Sequence, residues 1–386
     1  MGARERDNTG DRTRLRVANE RGRKSVRAVR KEAPGAGAQL VERPVPEPGP
    51  GEVRVRVTAA SVCGTDVSIW RWNAWAERRV RVPLTLGHEC AGVVDALGSG
   101  VTGIEMGQRV ALETHVTCGR CPACLAGDGH ACARVSILGV DRDGVFADAV
   151  VVPAMNAWPL PAGVPDEVAP LLESFGNAVH TAMAQPLTAR TVLITGAGPT
   201  GLGAAAVARA AGAAAVVVVE SSADRRALAL RLGAHVAVDP SEVDVASLRR
   251  LADAPEGFDV ALEMSGSAQA LRLGVGAVRS AGRVAVLGLT AGDAGLNWPD
   301  DVVMRGIDIY GVTGRRLWQT WVDVTRFVAR GLVDLRPLVT HRFPVERVAE
   351  AIEAAAGGHA GKVLVWLDPN GTVARGALAA GAQGRN

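Results

Sequence analysis

The sequence predicts an α/β protein that combines a β-rich domain with a doubly wound parallel sheet. Its 386 residues are enough for two domains with sizeable cores. From Val26 to about Val152, short β-like runs are broken by Gly and Pro, and from about Arg190 strands alternate with helices. The second pattern is typical of a parallel sheet covered on both faces.

Three runs in the first region predict strands. EVRVRVTAAS (52–61) alternates apolar and polar residues with period two, and CAGVVDALG (90–98) and GQRVALET (107–114) follow. The second region begins with the strand TVLIT, a glycine turn and a helix, and continues with the strands AAVVVVE, HVAVD, GFDVALEMSG and GRVAVLGL. After Trp318 we predict a helix at about 319–330 and a last strand, GKVLVWLD.

These patterns predict the following division of the chain. A catalytic domain spans 26–178, a nucleotide-binding domain spans 179–318, and residues 319–369 return to the catalytic domain. Residues 1–25 and 370–386 are predicted to be disordered tails.

Charge is concentrated at the ends of the chain. The formal net charge is +3, and residues 1–25 carry eight Arg or Lys against four acids. We interpret this segment as a solvated tail, with an interaction arm as the alternative. The part of the chain between the two tails predicts no nucleic-acid surface. No apolar segment predicts a secretory signal peptide or a membrane span. We therefore expect a cytoplasmic protein that binds neither nucleic acid nor membrane.

The glycine turn after TVLIT predicts a dinucleotide site. Gly196 allows the tight turn, Gly198 lets the backbone approach a pyrophosphate, and Gly201 lets helix and strand pack closely. Glu220 ends the next strand, where an acid accepts hydrogen bonds from the adenosine ribose and repels a 2′-phosphate. This favours NAD, although Arg225 and Arg226 nearby leave NADP as the alternative, and a purely structural turn is the other alternative.

Four of the six cysteines lie within fifteen residues. Cys118, Cys121, Cys124 and Cys132 have the spacing C-x2-C-x2-C-x7-C. Four thiolates predict a tetrahedral, closed, structural zinc site. An iron–sulfur cluster or free thiols are the alternatives.

A second metal site is suggested by residues of mixed type. Cys63 follows a strand in SVCGTD, and His88 and Glu89 are adjacent in LGHECAG. A Cys, a His and a carboxylate suit zinc with a fourth position open for substrate or water. Taken singly, His88 is more commonly explained as a structural histidine.

Several segments together resemble the zinc-dependent medium-chain dehydrogenases. Cys63-Gly-Thr-Asp, Gly87-His88-Glu89, the four-cysteine segment and GAGPTG occur in that family's order. NAWAERRVRVPLTLGHE, THVTCGRC, FGNAVHTA, EGFDVALEMSG and VTHRF are most similar to its threonine dehydrogenase branch, over roughly 26–368. The resemblance implies a GroES-like catalytic domain and a Rossmann domain.

The resemblance also implies roles for individual residues around the substrate. Cys63, His88 and Glu89 match the catalytic zinc ligands, and Glu173 matches an acid beside the zinc. Thr65 matches the hydroxyl that begins a proton relay, and His115 matches a histidine that lines the substrate site. Ser68 stands where relatives carry a relay histidine. A serine can pass a proton but holds no charge near neutral pH.

For the cofactor, the resemblance implies one catalytic zinc, one structural zinc and NAD. Besides the glycines, the residues matching NAD contacts are Thr200, Glu220, Arg225, Leu287, Gly288, Leu289, Val312 and Thr313.

The implied reaction is NAD-linked oxidation of a secondary alcohol, with L-threonine as the implied substrate. A polyol, diol or aminocyclitol is the alternative within the family. A non-enzymatic zinc and nucleotide-binding regulator and a zinc-free quinone reductase are the alternatives outside it. The resemblance further implies a dimer or tetramer, in which GIDIYGV (306–312) could pair across a two-fold axis.

Overall fold

The computed structural model describes residues 25–290 and 292–368. The predicted basic tail and the predicted C-terminal tail therefore lie outside the described residues, except for Ser25. Within the described ranges, no helix is both long and apolar enough to cross a membrane.

The first part of the chain is rich in short strands. They are β1 (Ser25–Lys31), β2 (Gln39–Pro44), β3 (Glu52–Ser61), β4 (Leu84–Thr85), β5 (Glu89–Leu97), β6 (Arg109–Leu112), β7 (His115–Val116), β8 (Ser136–Ile137), β9 (Ala149–Pro153) and β10 (Ala157–Pro159). The helices between and after them are α1 (Gly64–Arg71), α2 (Ala74–Arg79), α3 (Pro122–Leu125) and α4 (Leu172–Ala182).

The nucleotide-binding region has the alternation that the sequence predicts. Its elements are β11 (Thr191–Thr195), α5 (Pro199–Ala210), β12 (Ala215–Val219), α6 (Ala223–Arg231), β13 (Val236–Val238), α7 (Val245–Leu251), β14 (Phe258–Glu263), α8 (Ala268–Ala277), β15 (Val278–Val286) and β16 (Asp308–Gly311). All pairings are parallel, in the order β13-β12-β11-β14-β15-β16. This doubly wound order places a binding crevice at the carboxyl ends of β11 and β14.

The chain then returns to the first sheet. The returning elements are α9 (Gln319–Ala329), β17 (Val339–Pro344), α10 (Val348–Ala356) and β18 (Lys362–Trp366). β18 pairs antiparallel with β3, so the sheet order is β10-β6-β5-β3-β18-β17, with β9 also paired to β3. The predicted fold class is confirmed by this combination of a β-rich body and a doubly wound sheet.

Helix α4 connects the two bodies. Ten of its eleven residues are buried, and it packs against α5 on one side and α9 on the other. The predicted domain boundary at 178/179 falls inside this continuous helix. Because α4 also carries Glu173, its packing fixes a functional side chain relative to both sheets.

Candidate active site

The four-cysteine segment forms a compact sulfur cluster. The Sγ–Sγ distances are 3.5 Å for Cys121–Cys124, 3.8 Å for Cys121–Cys132 and 3.6 Å for Cys118–Cys132. A tetrahedral site with Zn–S bonds of about 2.3 Å has edges of about 3.8 Å, so the spacing fits zinc. His130 is half-buried and packs edge-on against His180 at 5.3 Å, and the four cysteines form the ligand group without it.

The thiols of this cluster also need a cation. The backbone N–H of Arg120 and the guanidinium of Arg134 lower the pKa of Cys118 to about 5. Burial and the neighbouring sulfurs raise the pKa of Cys124 to about 11. Cys124 therefore ionises alongside Cys118 at neutral pH only when a positive charge lies nearby, which a bound zinc ion would supply.

The second predicted metal group also comes together. Cys63 precedes α1, His88 and Glu89 lie at the start of β5, and their ligand atoms are all within 4.8 Å of one another. Gly87, at φ +87°, leads into this pair, and a Cβ there would overlap the Phe146 ring. The sharp turn that aims His88 therefore requires glycine.

Hydrogen bonds orient His88. Its Nδ1 lies 3.2 Å from Asp66 Oδ1, and Asp66 also accepts the Cys63 backbone N–H at 2.9 Å. A carboxylate behind a ligand histidine fixes the ring and leaves the other nitrogen for a metal. Sequence reasoning missed Asp66, although its place three residues after Cys63 in a capping box was a visible signal.

One oxygen of Glu89 is held and the other is unpaired. Oε2 accepts hydrogen bonds from Ser61 and Lys362, and Ser174 Oγ lies at 3.4 Å. Oε1 is buried without a hydrogen-bond partner among the described residues. An unpaired buried carboxylate oxygen is costly, so this atom fits a metal ligand. Lys362 was not predicted, although a lysine at the start of an apolar strand was a signal for it.

Glu173 lies in a second network next to these residues. Arg315 Nη1 is 2.7 Å from Glu173 Oε1, and Arg315 also forms a two-bond pair with Glu113 at 2.8 and 2.5 Å. Burial raises the pKa of Glu173, the Arg315 charge lowers it, and Glu89 raises it again, so that the net direction is upward. Glu113 and Arg315 were not predicted, because their partners are distant in sequence.

The charges of the two networks favour a divalent cation. When ionised, Cys63, Asp66, Glu89, Glu113 and Glu173 carry five negative charges, and the buried Arg315 and Lys362 supply two positive ones. Burial lowers the pKa of His88, but the charges of Asp66 and Cys63 raise it well above its ordinary value. The group therefore carries an excess of negative charge, which a divalent zinc ion would reduce.

The predicted substrate-side residues lie on α1 and β7. Thr65 and Ser68 lie three residues apart on α1, directly after Cys63, and therefore share a helix face. His115 begins β7, and a Cβ at Gly314 would lie 3.0 Å from its ring. His115 Nδ1 is 2.8 Å from both Glu113 Oε1 and Arg315 Nη2. Nδ1 can either donate to Glu113 or accept from Arg315, and this choice sets what Nε2 presents to a substrate.

The glycine turn has the geometry of a phosphate site. Gly196 has φ +91°, and a Cβ on Gly201 would overlap the Gly196 carbonyl oxygen. At Gly198 an added Cβ would meet open space, and Thr200 lies in the first turn of α5. Backbone N–H groups at the start of a helix favour an anion, so the turn fits a pyrophosphate.

A cavity of about 600 Å³ adjoins this turn and contains two of the predicted ribose contacts, Glu220 and Arg225. Glu220 Oε2 accepts the Ala197 N–H at 2.6 Å, and Oε1 accepts the Ser222 N–H at 2.9 Å. Arg225 Nε donates to the Ala360 carbonyl at 3.1 Å. The other predicted contacts follow the carboxyl ends of β15 and β16, at Leu287–Leu289 and at Val312 and Thr313.

Known proteins match most of the chain that carries this arrangement. Residues 49–162 match the family model "Alcohol dehydrogenase GroES-like domain", and residues 199–330 match "Zinc-binding dehydrogenase". The L-threonine 3-dehydrogenase of Pyrococcus horikoshii is 47% identical over 343 residues, which are 88% of this chain and 98% of that protein.

Solved structures agree with these matches. A zinc-binding dehydrogenase of Sinorhizobium meliloti bound to NADP has a TM-score of 0.83 at 30% identity, covering 89% of this chain and all of that one. The galactitol-1-phosphate dehydrogenase of Escherichia coli has a TM-score of 0.81 at 29% identity, covering 88% of this chain and all of that one.

Proposed function

Because the chain belongs to the zinc-dependent medium-chain alcohol dehydrogenase family, we propose that it oxidises L-threonine to 2-amino-3-oxobutyrate with NAD. The observation that carries this proposal is the 47% identity to a threonine dehydrogenase over nearly its whole length. The buried group formed by Cys63, His88 and Glu89 supports it, since a zinc there keeps a position for a hydroxyl.

The roles of the residues follow from their places. Zinc held by Cys63, His88 and Glu89 would supply Lewis acidity toward the substrate hydroxyl, and NAD would supply the hydride acceptor. In this proposal Thr65 accepts the hydroxyl proton as it releases its own to Ser68, and Ser68, which is partly exposed, passes a proton on to solvent. His115 orients the substrate, and Glu173 lies beside the reacting hydroxyl. In this proposal the reaction takes place in the cleft between the catalytic and nucleotide-binding domains, where closure would exclude water.

A substrate panel tests the proposal. L-threonine, 2,3-butanediol, sorbitol and an aminocyclitol are each offered with NAD, and NADH formation is followed by absorbance. We expect kcat/KM to be highest for L-threonine. Turnover of sorbitol or an aminocyclitol without turnover of threonine would replace our proposal by the polyol alternative. The presence of Ser68 in place of a relay histidine is the feature that favours that alternative.

Glu220 supports NAD over NADP. Its carboxylate lines the cavity and lies against the glycine turn, where it would accept hydrogen bonds from a ribose diol and repel a 2′-phosphate. Hydrogen bonds to a charged group are worth about 1.5–3 kcal/mol, so we expect Glu220→Ala to lower kcat/KM for NAD by roughly 10–100-fold. Activity with NADP should rise relative to NAD.

The matched control for this prediction is Glu220→Gln. The amide keeps an oxygen that accepts the Ala197 N–H but removes the charge. Steady-state kinetics with both cofactors separate the two effects. An unchanged ratio of NAD to NADP activity in both variants would contradict the role proposed for Glu220.

We further propose a homo-oligomer in the cytoplasm. Among the described strands, β16 pairs on one side only, with β15, and Tyr310 on it is 37% exposed. A free strand edge can pair with the same edge of a second copy across a two-fold axis. The sulfur cluster needs reduced thiols to bind zinc, which supports a reducing compartment.

A further inference from the structure

Arg315 is a buried cation with no role in the function proposed above. Its side chain is 1% exposed, and it lies two residues after Thr313 in the segment that follows β16. The guanidinium crosses from this nucleotide side of the cleft to residues on the substrate side. A buried charge requires close partners, and here they can be named one by one.

One side of the guanidinium is fixed by Glu113. Nε and Nη2 donate to the two carboxylate oxygens at 2.8 and 2.5 Å, in the planar two-bond geometry that only arginine offers. Glu113 is itself held by Trp321 Nε1 at 2.6 Å and by the His115 backbone N–H at 2.7 Å. The direction in which the third nitrogen, Nη1, points is therefore determined.

That third nitrogen points at helix α4. Nη1 lies 2.7 Å from Glu173 Oε1, 3.1 Å from Asn177 Oδ1 and 3.3 Å from the Glu173 carbonyl oxygen. Between these two residues, Gly176 leaves room for the arginine stem, since a Cβ there would overlap Cγ and Cδ of Arg315. Together, Glu173, Gly176 and Asn177 therefore accommodate the side chain of Arg315.

We propose that Arg315 is a positioning residue that holds the Glu173 carboxylate beside the metal ligands but outside their group. This inference rests on the proposed function. The ligand atoms that lie together are those of Cys63, His88 and Glu89, whereas Glu173 is held by Arg315. Keeping Glu173 in this place leaves the fourth metal position to the substrate hydroxyl. The same guanidinium contacts His115 at 2.8 Å and so fixes that ring as well.

The test uses the full-length protein with Co²⁺ in place of the catalytic zinc, because the visible bands of Co²⁺ report the number and type of its ligands. Arg315→Lys keeps the positive charge but cannot form the planar two-bond pair that arginine forms with Glu113. Gly176→Ala removes no polar group and displaces the arginine stem. We expect both variants to change the cobalt spectrum, and we expect neither to change it further in a Glu173→Gln background.

Two further measurements accompany the spectrum. We expect kcat/KM for the alcohol to fall by roughly 10–100-fold in Arg315→Lys, as is usual when a side chain that supports the surroundings of a metal site is lost, with the Kd for NAD unchanged. Arg316→Lys is the matched control, since Arg316 is 58% exposed and pairs only loosely with Asp128 at 3.9 Å. That variant should keep the wild-type spectrum and rate.

Specific outcomes would overturn the inference. If Arg315 acts through its charge alone, Arg315→Lys and Gly176→Ala keep the wild-type spectrum. If Arg315 only stabilises the fold, the two substitutions change the cobalt spectrum by the same amount whether position 173 is Glu or Gln. Should Arg315→Lys not fold, Gly176→Ala decides alone. A wild-type protein that takes up no cobalt at Cys63 or oxidises no alcohol refutes the proposed function instead, so the two failures are distinguishable.

Discussion

Replacing Cys63 with alanine is expected to lower the zinc content from two ions per chain to one and to abolish nearly all activity. Cys63 is one of three ligand atoms that lie within 4.8 Å of one another, and two ligands do not hold zinc tightly. Loss of the Lewis acid removes several kcal/mol of transition-state stabilisation, so kcat/KM should fall by at least about 10³-fold. Elemental analysis and steady-state kinetics measure the two effects.

Cys90 provides the matched control. It follows Glu89 in β5, is 1% exposed, and packs in the core of the β-rich body. Burial raises the pKa of its thiol, so it remains protonated and binds no metal. Cys90→Ala should therefore keep both zinc ions and most of the activity. A Cys63→Ala protein with two zinc ions and normal turnover would refute the catalytic site.

Zinc at the four-cysteine cluster should be lost independently of the zinc at Cys63. Cys132→Ser is expected to remove the other zinc and to leave the cobalt or zinc at Cys63 in place, because the two ligand groups share no residue. Since structural zinc contributes directly to folding, this variant should unfold at a lower temperature.

Elements whose pattern is local were predicted well. β3 has the bounds predicted from its period-two alternation, because alternate residues along it are buried in the core. α4 was not predicted as a helix, although Glu173, Asn177 and Thr181 recur at helical spacing, and burial of nearly all its residues shows that these polar side chains face the interior. The alternation of strands and helices was sufficient to predict a parallel sheet covered on both faces, whereas the order of its strands came from the structure.

The site residues, like the elements, were predicted where their sequence pattern is local and were missed where it is not. Metal ligands of one type at short spacing, such as Cys118 and Cys121, are visible in sequence. The ion-pair partners of Lys362 and Arg315 are not, since Glu89 and Glu113 lie 273 and 202 residues away from them. Only the return of the chain as β18 and the segment after β16 bring these charges together. Such long-range ion pairs require the fold before they can be recognised.

Glu113→Gln is expected to produce a large loss of stability while leaving the metal ligands intact. Glu113 is fully buried and accepts hydrogen bonds from Arg315, Trp321 and His115. Breaking a buried ion pair by removing one partner costs about 3–5 kcal/mol. Because Arg315 would still pair with Glu173, we expect a loss at the lower end of this range, on the order of 3 kcal/mol. Urea unfolding at pH 7 measures it, and Glu105→Gln on the surface is the control.

The same variant has a defined pH dependence. Burial raises the pKa of Glu113. The charge of Arg315 and the hydrogen bonds from His115 and Arg315 lower it by more, so the net pKa lies well below its ordinary value of 4.5. A carboxyl with a lowered pKa in the folded state stabilises the protein above the unfolded pKa, and this contribution is lost as the pH falls toward the folded pKa. The difference in stability between wild type and Glu113→Gln should therefore narrow below about pH 4.5.

The double variant Glu113→Gln/Arg315→Met separates the ion pair from the shape of the site. Removing both charges leaves no uncompensated cation in the interior, so we expect part of the stability lost in Glu113→Gln to return. Activity should not return with it, because Glu173 then lacks the guanidinium that holds it. A double variant whose stability loss equals the sum of the two single losses would show that Glu113 and Arg315 act independently, and so would contradict their coupling.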